Sequence, residues 1–313
     1  MTFGAMMCLA MLVDVMFGWQ NWLYRRVGHP VTWIGALIRR LDQRFNREID
    51  SGRTRRMMGV LAASLVIGLT AGIALAAQLL LPQGLPRIIV GGILAWPFVA
   101  VRSMYDHVAA VARALKSGDL TASRFAVSMI VGRDTSVLDT AGVTRAAMES
   151  LAENTSDGIV APLFWGVLFG LPGIAAYKAI NTLDSMIGHR TARYNYFGWA
   201  SAKVDDLVNL IPARMTGLLF ALVSPRPKMA LRVMLRDAGL HRSPNAGWPE
   251  AALAGGLGIR LSGPRKYADR MADEPWVNTG TPDPTLWDLQ RSLALYRRAM
   301  FLLAAGLAIL AIA

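Results

Sequence analysis

Residues 149–206 read ESLAENTSDGIVAPLFWGVLFGLPGIAAYKAINTLDSMIGHRTARYNYFGWASAKVDD. Two polar clusters flank an apolar run. Before it stand Glu149, Glu153, Asn154, Thr155, Ser156 and Asp157. After it stand Lys178, Asn181, Thr182, Asp184, Ser185 and His189, then Asp205 and Asp206. Acids and amides beside membrane-grade hydrophobicity cost free energy, and persist where they pair, bind an ion or line a wet cavity. The run itself, 158–180, carries Pro162, Gly166, Gly170, Pro172 and Gly173. That density of breakers fits a kinked or re-entrant segment at least as well as a straight span.

Composition places the rest of the chain around this stretch. Of 313 residues, 54% are hydrophobic and 17% charged, against roughly 25% charged in an average soluble domain. The expectation is one membrane-embedded domain over 1–313. Its fold class is all-α: a polytopic integral membrane protein with kinked or re-entrant helices and a polar cytoplasmic helical and loop portion. The formal charge is +12, from 33 basic and 21 acidic residues. Nucleic acid, a membrane surface and an anionic substrate compete as explanations. Basic loops beside apolar spans account for it first, and no nucleic-acid module is recognisable. The lone Cys8 sits in an apolar run, which excludes an intrachain disulfide or a cysteine zinc site. With no basic n-region and no evident cleavage site, the N-terminus reads as a first anchor.

Working outward, 3–23 is long enough to span, interrupted by Asp14, with Trp19, Trp22 and Tyr24 suited to an interfacial belt. Residues 24–56 hold nine Arg, and 31–47 reads as an amphipathic helix on the membrane surface, its face marked by Trp33, Leu37, Leu41 and Phe45. Residues 57–81 form the cleanest span, 88–101 a short return broken by Pro97. Residues 102–157 are polar and helical, with Asp134 or Thr135 as a cap and a further helix from about Asp139 towards Thr155. Further spans are expected at 207–223 and 299–313, with 224–297 polar. The basic 24–56 loop points to the cytoplasm. A full crossing by 158–180 would then put Asp184 and His189 opposite Glu149–Asp157. A kinked or re-entrant run keeps both clusters on the cytoplasmic side, where accessibility labelling near Glu153 and His189 is expected to find them.

Glu149, Glu153 and Asp157 lie at i, i+4 and i+8, one acidic stripe on a helix. Three facing carboxylates repel unless a cation sits between them, and hard oxygens suit Mg²⁺. The competing reading is a solvated acidic face. Asn181, Asp184 and Ser185 share a helical face, and His189 follows Gly188 past the helix end, as a base, a phosphate ligand or a structural histidine. Asp205–Asp206 is either a further ligand or a favourable N-terminal charge. Residues 236–250 read RDAGLHRSPNAGWPE, a rigid proline-bounded loop that either binds or simply ends a helix. Arg236, Arg242, Arg265 and Lys266 form a basic set suited to phosphate or carboxylate. There is no Walker loop and no dinucleotide fingerprint.

Five runs carry a resemblance: HPVTWIG (29–35), ESLAENTSDGIVAPLFW (149–165), AYKAINTLDSMIGH (176–189), FGWASAKVDDLVNLIPAR (197–214) and RDAGLHRSPNAGWPEAALAGGLG (236–258). In this order they resemble the adenosylcobinamide-phosphate synthase family of cobalamin biosynthesis. The resemblance implies a multi-pass inner-membrane enzyme with a cytoplasmic active site. Such an enzyme joins adenosylcobyric acid to an amino-alcohol phosphate or amino alcohol, using ATP as co-substrate and Mg²⁺. Under it, the catalytic candidates are Glu153, Asp184, His189 and His241, and the metal candidates Glu149, Glu153 and Asp157. Asn154, Lys178, Asn181, Arg236, Arg242, Ser243 and Asn245 are the substrate- and phosphate-binding candidates. The implied partners are the corrinoid, the amino-alcohol phosphate and the lipid bilayer, with self-association or association with later cobalamin-pathway membrane enzymes, and no nucleic acid. Family members often carry a Gly-Asp-Pro-like turn after the first span; here Phe17-Gly18-Trp19-Gln20 stands there, so no such aspartate carries over. The rival reading is a non-catalytic transporter or sensor of the same fold, since transporters also use broken polar helices; no inverted repeat supports it.

Overall fold

The structure is a computed structural model and describes residues 2–266, 271–272 and 274–312. Among these, helices dominate: α1 (Thr2–Phe17), α2 (Asn21–Val27), α3 (Pro30–Phe45), α4 (Gly52–Leu80), α5 (Leu85–Ala95), α6 (Val101–Lys116), α7 (Leu120–Ser128) and α8 (Thr140–Thr155). They are followed by α9 (Ala161–Phe169), α10 (Leu171–Ile187), α11 (Trp199–Val208), α12 (Leu210–Val223), α13 (Pro227–Asp237), α14 (Gly247–Leu257) and α15 (Leu286–Ile312). The only strands among the described residues are two-residue pieces: β1 (Leu261–Ser262), β2 (Arg265–Lys266), β3 (Met271–Ala272) and β4 (Trp276–Val277), with β1 antiparallel to β4 and β2 to β3. The chain is an all-α membrane protein.

Three helical runs are long and apolar enough to cross a membrane: α4, Leu85–Lys116 and α15. The bent pairs α1–α2 and α11–α12 raise the number to five among the described residues. At 1.5 Å per residue, α4 extends about 44 Å, beyond a bilayer core of about 30 Å. Its outward face, including Leu61, Leu65, Leu69 and Ile73, is exposed and apolar, as lipid contact requires.

Several expected boundaries shift. The anchor expected over 3–23 is not one rod: α1 stops at Phe17, Gly18 takes φ +57°, and α2 departs at 114°. Trp19 therefore turns inward instead of joining an interfacial belt. The return expected at 88–101 is a longer helical run interrupted by a 3-10 turn at Trp96–Phe98, where Pro97 supplies no amide donor. The C-terminal anchor begins at Leu286, not 299. The cap of α8 is Asp139, whose Oδ1 accepts from the Gly142 N–H at 2.7 Å; Asp134 instead closes a local turn onto Ser136.

The contacts fall into two compact units. The first holds 1–100, 161–209 and 306–313; the second holds 101–160 and 210–305. In the first, Met6, Met7, Ala10 and Met11 of α1 are buried, with Gly91 of α5 and Gly166 of α9 leaving room for Met6 and Met7. A second core joins Ile34 and Ile38 of α3, Ala62, Ala63 and Val66 of α4, Ala179, Leu183 and Ile187 of α10, and Phe197 and Ala200. The helix expected to lie on the membrane surface thus packs its apolar side on protein, while Trp33 stays exposed. The expected break within 158–180 falls at Gly170, with φ +70°. There the chain reverses, so that Gly173 of α10 lies against the Trp165 carbonyl of α9 with no room for a Cβ.

In the second unit, α14 is the centre. Nearly every residue from Gly247 to Leu257 is buried, although the surrounding sequence reads as polar. α12 and α13 pack on it, and Gly217 admits the Trp248 backbone. The segment around β4 is clamped by Asp283, which pairs with Arg145 and, at 2.6 Å, with Arg260; both arginines lie over the Trp276 ring.

Candidate functional site

In the first unit the polar residues cluster on the C-terminal half of α10. The helix is fixed at its start by the Gln78 side chain of α4, which accepts from the Leu171 N–H at 2.8 Å. Midway, Tyr177 donates to Asn209 at 2.8 Å and Asn209 to Asp205 at 3.0 Å, a buried relay that holds α10 to the end of α11. The half-buried Lys178 lies 3.5 Å from Asn181 Oδ1. Ser185 donates to the Asn181 carbonyl.

His189 follows the helix end and is exposed; its Nε2 lies 2.9 Å from the Ser185 carbonyl. A carbonyl can only accept, so the ring proton belongs on Nε2, which leaves Nδ1 as an open proton acceptor. Asp184 is packed over Gly188, where a Cβ would collide with Oδ1. Burial raises its carboxyl above the usual range; the His189 ring opposes this and the Asp206 carboxylate adds to it. The turn beyond His189 is tied to α3: Arg193 donates to Asp42 at 2.9 Å, and Asn46 donates to Asp42 and to the Arg193 carbonyl.

The motif at 29–35 belongs to the same unit. His29 caps α3, accepting from the Val31 N–H at 3.2 Å through Nδ1, while the Thr32 hydroxyl completes a capping box. Burial, then the Lys178 charge, lowers its imidazole to about 4, so it is neutral at physiological pH. Its ring meets Trp19 edge-on at 4.7 Å, and Trp19 meets Trp96 at 5.3 Å. None of these three stands out as a site residue in the sequence. The pattern HPVT signals only a helix start, and the ring contacts come from chain segments far apart.

In the second unit, the acidic stripe is divided. Glu149 is buried, accepting from Arg133 at 2.7 Å and from the Ser262 N–H at 2.7 Å. The ion pair gives Glu149 a structural role beside its expected one as a metal ligand. Asn154 donates to the Ser150 carbonyl at 3.0 Å and hydroxyl at 3.1 Å. Glu153 is exposed and Asp157 half-buried. The helix widens into a π turn over Ser156–Val160, so Asp157 does not continue an ideal i+4 stripe. Such turns recur at functional sites. Among the described residues no three carboxylate, imidazole or thiol side chains gather closely enough to hold an ion by themselves.

The 236–250 segment is not one rigid loop. It comprises the end of α13, a 3-10 turn at Ala238–Leu240, a tight turn and the start of α14. Arg236 grips Asp237 in a bidentate pair at 2.6 and 2.7 Å. Burial would raise the Asp237 carboxyl, but Arg236 and the Asn278 N–H outweigh it and lower the value. The His241 side chain is only 6% exposed; its Nδ1 accepts from the Ser243 N–H and its Nε2 faces Glu250 at 3.8 Å. Ser243 Oγ accepts from the amides of Asn245 and Ala246, which closes the turn. Arg242 lies 3.7 Å from Glu274. The expected base His241 and the expected binder Ser243 thus also hold the turn, Asn245 joins it through its backbone amide, and Arg236 pairs with Asp237. The side chains of Arg265 and Lys266 lie outside the described residues.

Comparison with known proteins places the chain in a family. A family model described as "CobD/Cbib protein" matches residues 7–296. A Rhodobacter capsulatus protein named "Cobalamin biosynthesis protein CobD" is 68% identical over 300 residues, covering 96% of this chain and 95% of its own. Proteins of the same name from a Sinorhizobium species and from Brucella suis are each 46% identical over 306 residues, covering 95% and 94% of this chain and 95% and 93% of their own. No solved structure matches. With a family match over nearly its whole length and a close relative over 96% of it, the chain belongs to the CobD/Cbib family of cobalamin biosynthesis.

Proposed function

We propose that the protein joins adenosylcobyric acid to an amino-alcohol phosphate, or a related amino alcohol, through an ATP-dependent amide bond at the inner membrane. The observation that supports this most is the end of α10: an exposed His189 with Nδ1 open as a proton acceptor, next to the half-buried carboxyl of Asp184. Amide formation needs such a base, because an amine is protonated at neutral pH and its nitrogen lone pair must be freed.

A carboxylate is a poor acyl donor. One of its oxygens attacks the terminal phosphorus of ATP, the bond to ADP breaks, and an acyl phosphate results. The amine then attacks the acyl carbon, inorganic phosphate leaves, and the amine's proton passes to His189 Nδ1. Lys178 supplies positive charge for anionic oxygens. In the second unit, Arg242 is the proposed basic residue, and Glu153 and Asp157 would hold Mg²⁺, which offsets phosphate charge when bound.

A strain lacking the gene tests the reading. It should grow with added cobinamide and fail with cobyric acid, and the intact gene should restore the use of cobyric acid. Equal growth on both would remove the assignment.

A further inference from the structure

Beside Lys178, the first unit gathers three N–H donors that the ligation scheme leaves unused. Trp19 sits in the turn after α1, Trp96 opens the 3-10 turn after α5, and His29 caps α3. α10 packs against both that 3-10 turn and α3, which brings Lys178 to the same neighbourhood. The Nε1–H groups of Trp19 and Trp96 are both buried and both lack a hydrogen-bond partner. Leaving a buried donor unsatisfied forfeits its hydration with nothing in return. Two in adjoining rings, 5.3 Å apart, are hard to explain as packing alone. Because His29 Nδ1 accepts from Val31, its own proton resides on Nε2, a third N–H donor.

The donor set defines the ligand. Three neutral N–H groups and one ammonium suit an acceptor carrying a single negative charge; a phosphate with two or more charges calls for more cations or an arginine fork. Indole and imidazole walls suit an acceptor at the edge of a broad apolar body. We propose that Trp19, Trp96, His29 and Lys178 form the pocket that receives the reacting carboxylate of the corrinoid acyl donor. This inference rests on the ligation reading and assigns that substrate's carboxylate to these four residues.

The test is a binding titration on the purified full-length protein in lipid nanodiscs. One probe is adenosylcobyric acid; the other is its analogue in which the reacting carboxylate is a carboxamide. The wild type should prefer the acid by about tenfold or more, the worth of a charge-assisted hydrogen bond. Trp19→Phe and Trp96→Phe should each narrow that preference to about twofold, with ATP affinity unchanged. A preference that survives in both variants, or a loss of ATP affinity in its place, would overturn the pocket. Should a variant fail to fold, wild-type protein labelled with ¹⁵N-tryptophan gives the answer: two indole N–H resonances should move on adding the acid, and stationary resonances contradict the proposal. If the wild type binds neither corrinoid, the ligation reading falls and takes the pocket with it. If it binds the acid while the variants behave as wild type, only the pocket falls.

Discussion

Glu149 shows how far spacing alone reaches. The i, i+4, i+8 pattern marks three carboxylates as neighbours, but the partners that claim one of them are 16 and 113 residues away. Truncating one side of a buried ion pair costs about 3–5 kcal/mol, because the other charge is left without compensation. Glu149→Gln is therefore expected to lower the unfolding midpoint sharply in detergent, while Glu153→Gln leaves it in place and impairs only Mg²⁺-dependent turnover. An unaltered midpoint in Glu149→Gln would remove its structural role. His29 carries a pH signature. Its imidazole is lowered from 6.5 to about 4 in the folded state, so the unfolded chain binds the extra proton between those values. Stability from this group is complete above pH 6.5 and declines as pH falls towards 4. His29→Asn should flatten the stability–pH curve in that window, and an unchanged slope would place the histidine elsewhere. The neutral state was not legible in HPVT, since it comes from burial and from Lys178 on a distant helix.

Helix positions were legible where hydrophobicity decides them, and less so where a single glycine does. The uncharged core of α4 is plain in the sequence. The bend after α1 rests on one left-handed residue, Gly18, inside a run whose length alone suggests a straight span. α14 escaped notice because its buried residues are mostly Ala and Gly, whose small surfaces give a weak hydrophobic signal. The glycines of α4 separate these effects. A Cβ at Gly59 would strike the Phe197 carbonyl, whereas at Gly68 and Gly72 there is nothing within 4 Å. Gly59→Ala should destabilise by about 1–3 kcal/mol, the cost of forcing atoms into a packed contact. Gly68→Ala and Gly72→Ala should be neutral or slightly stabilising, since Ala is the better helix former by about 1 kcal/mol. Thermal unfolding of the three variants in one detergent checks the contrast. Equal losses at all three would mean that α4 does not approach the Phe197 segment.

At the scale of the molecule, composition alone pointed to a membrane protein. The division into two compact units was hidden, because each is assembled from separate stretches of chain. The excess of basic residues, 33 against 21, includes the nine arginines of 24–56. Charge bias orients such loops towards the cytoplasm. With Cys8 replaced by Ser, a cysteine introduced at the exposed Gln43 should react with an impermeant thiol reagent only in inside-out vesicles. Labelling in intact spheroplasts would reverse the orientation. A reaction with purified protein tests the proposed ligation. The protein is incubated with ATP, Mg²⁺, adenosylcobyric acid and aminopropanol phosphate, and the corrinoids are followed by mass spectrometry. Adenosylcobinamide phosphate is expected to form in step with ADP release, with the His189→Gln rate lower by about 10²-fold, the usual worth of a general base. ATP-independent product, or no product from folded protein that binds both substrates, would contradict it.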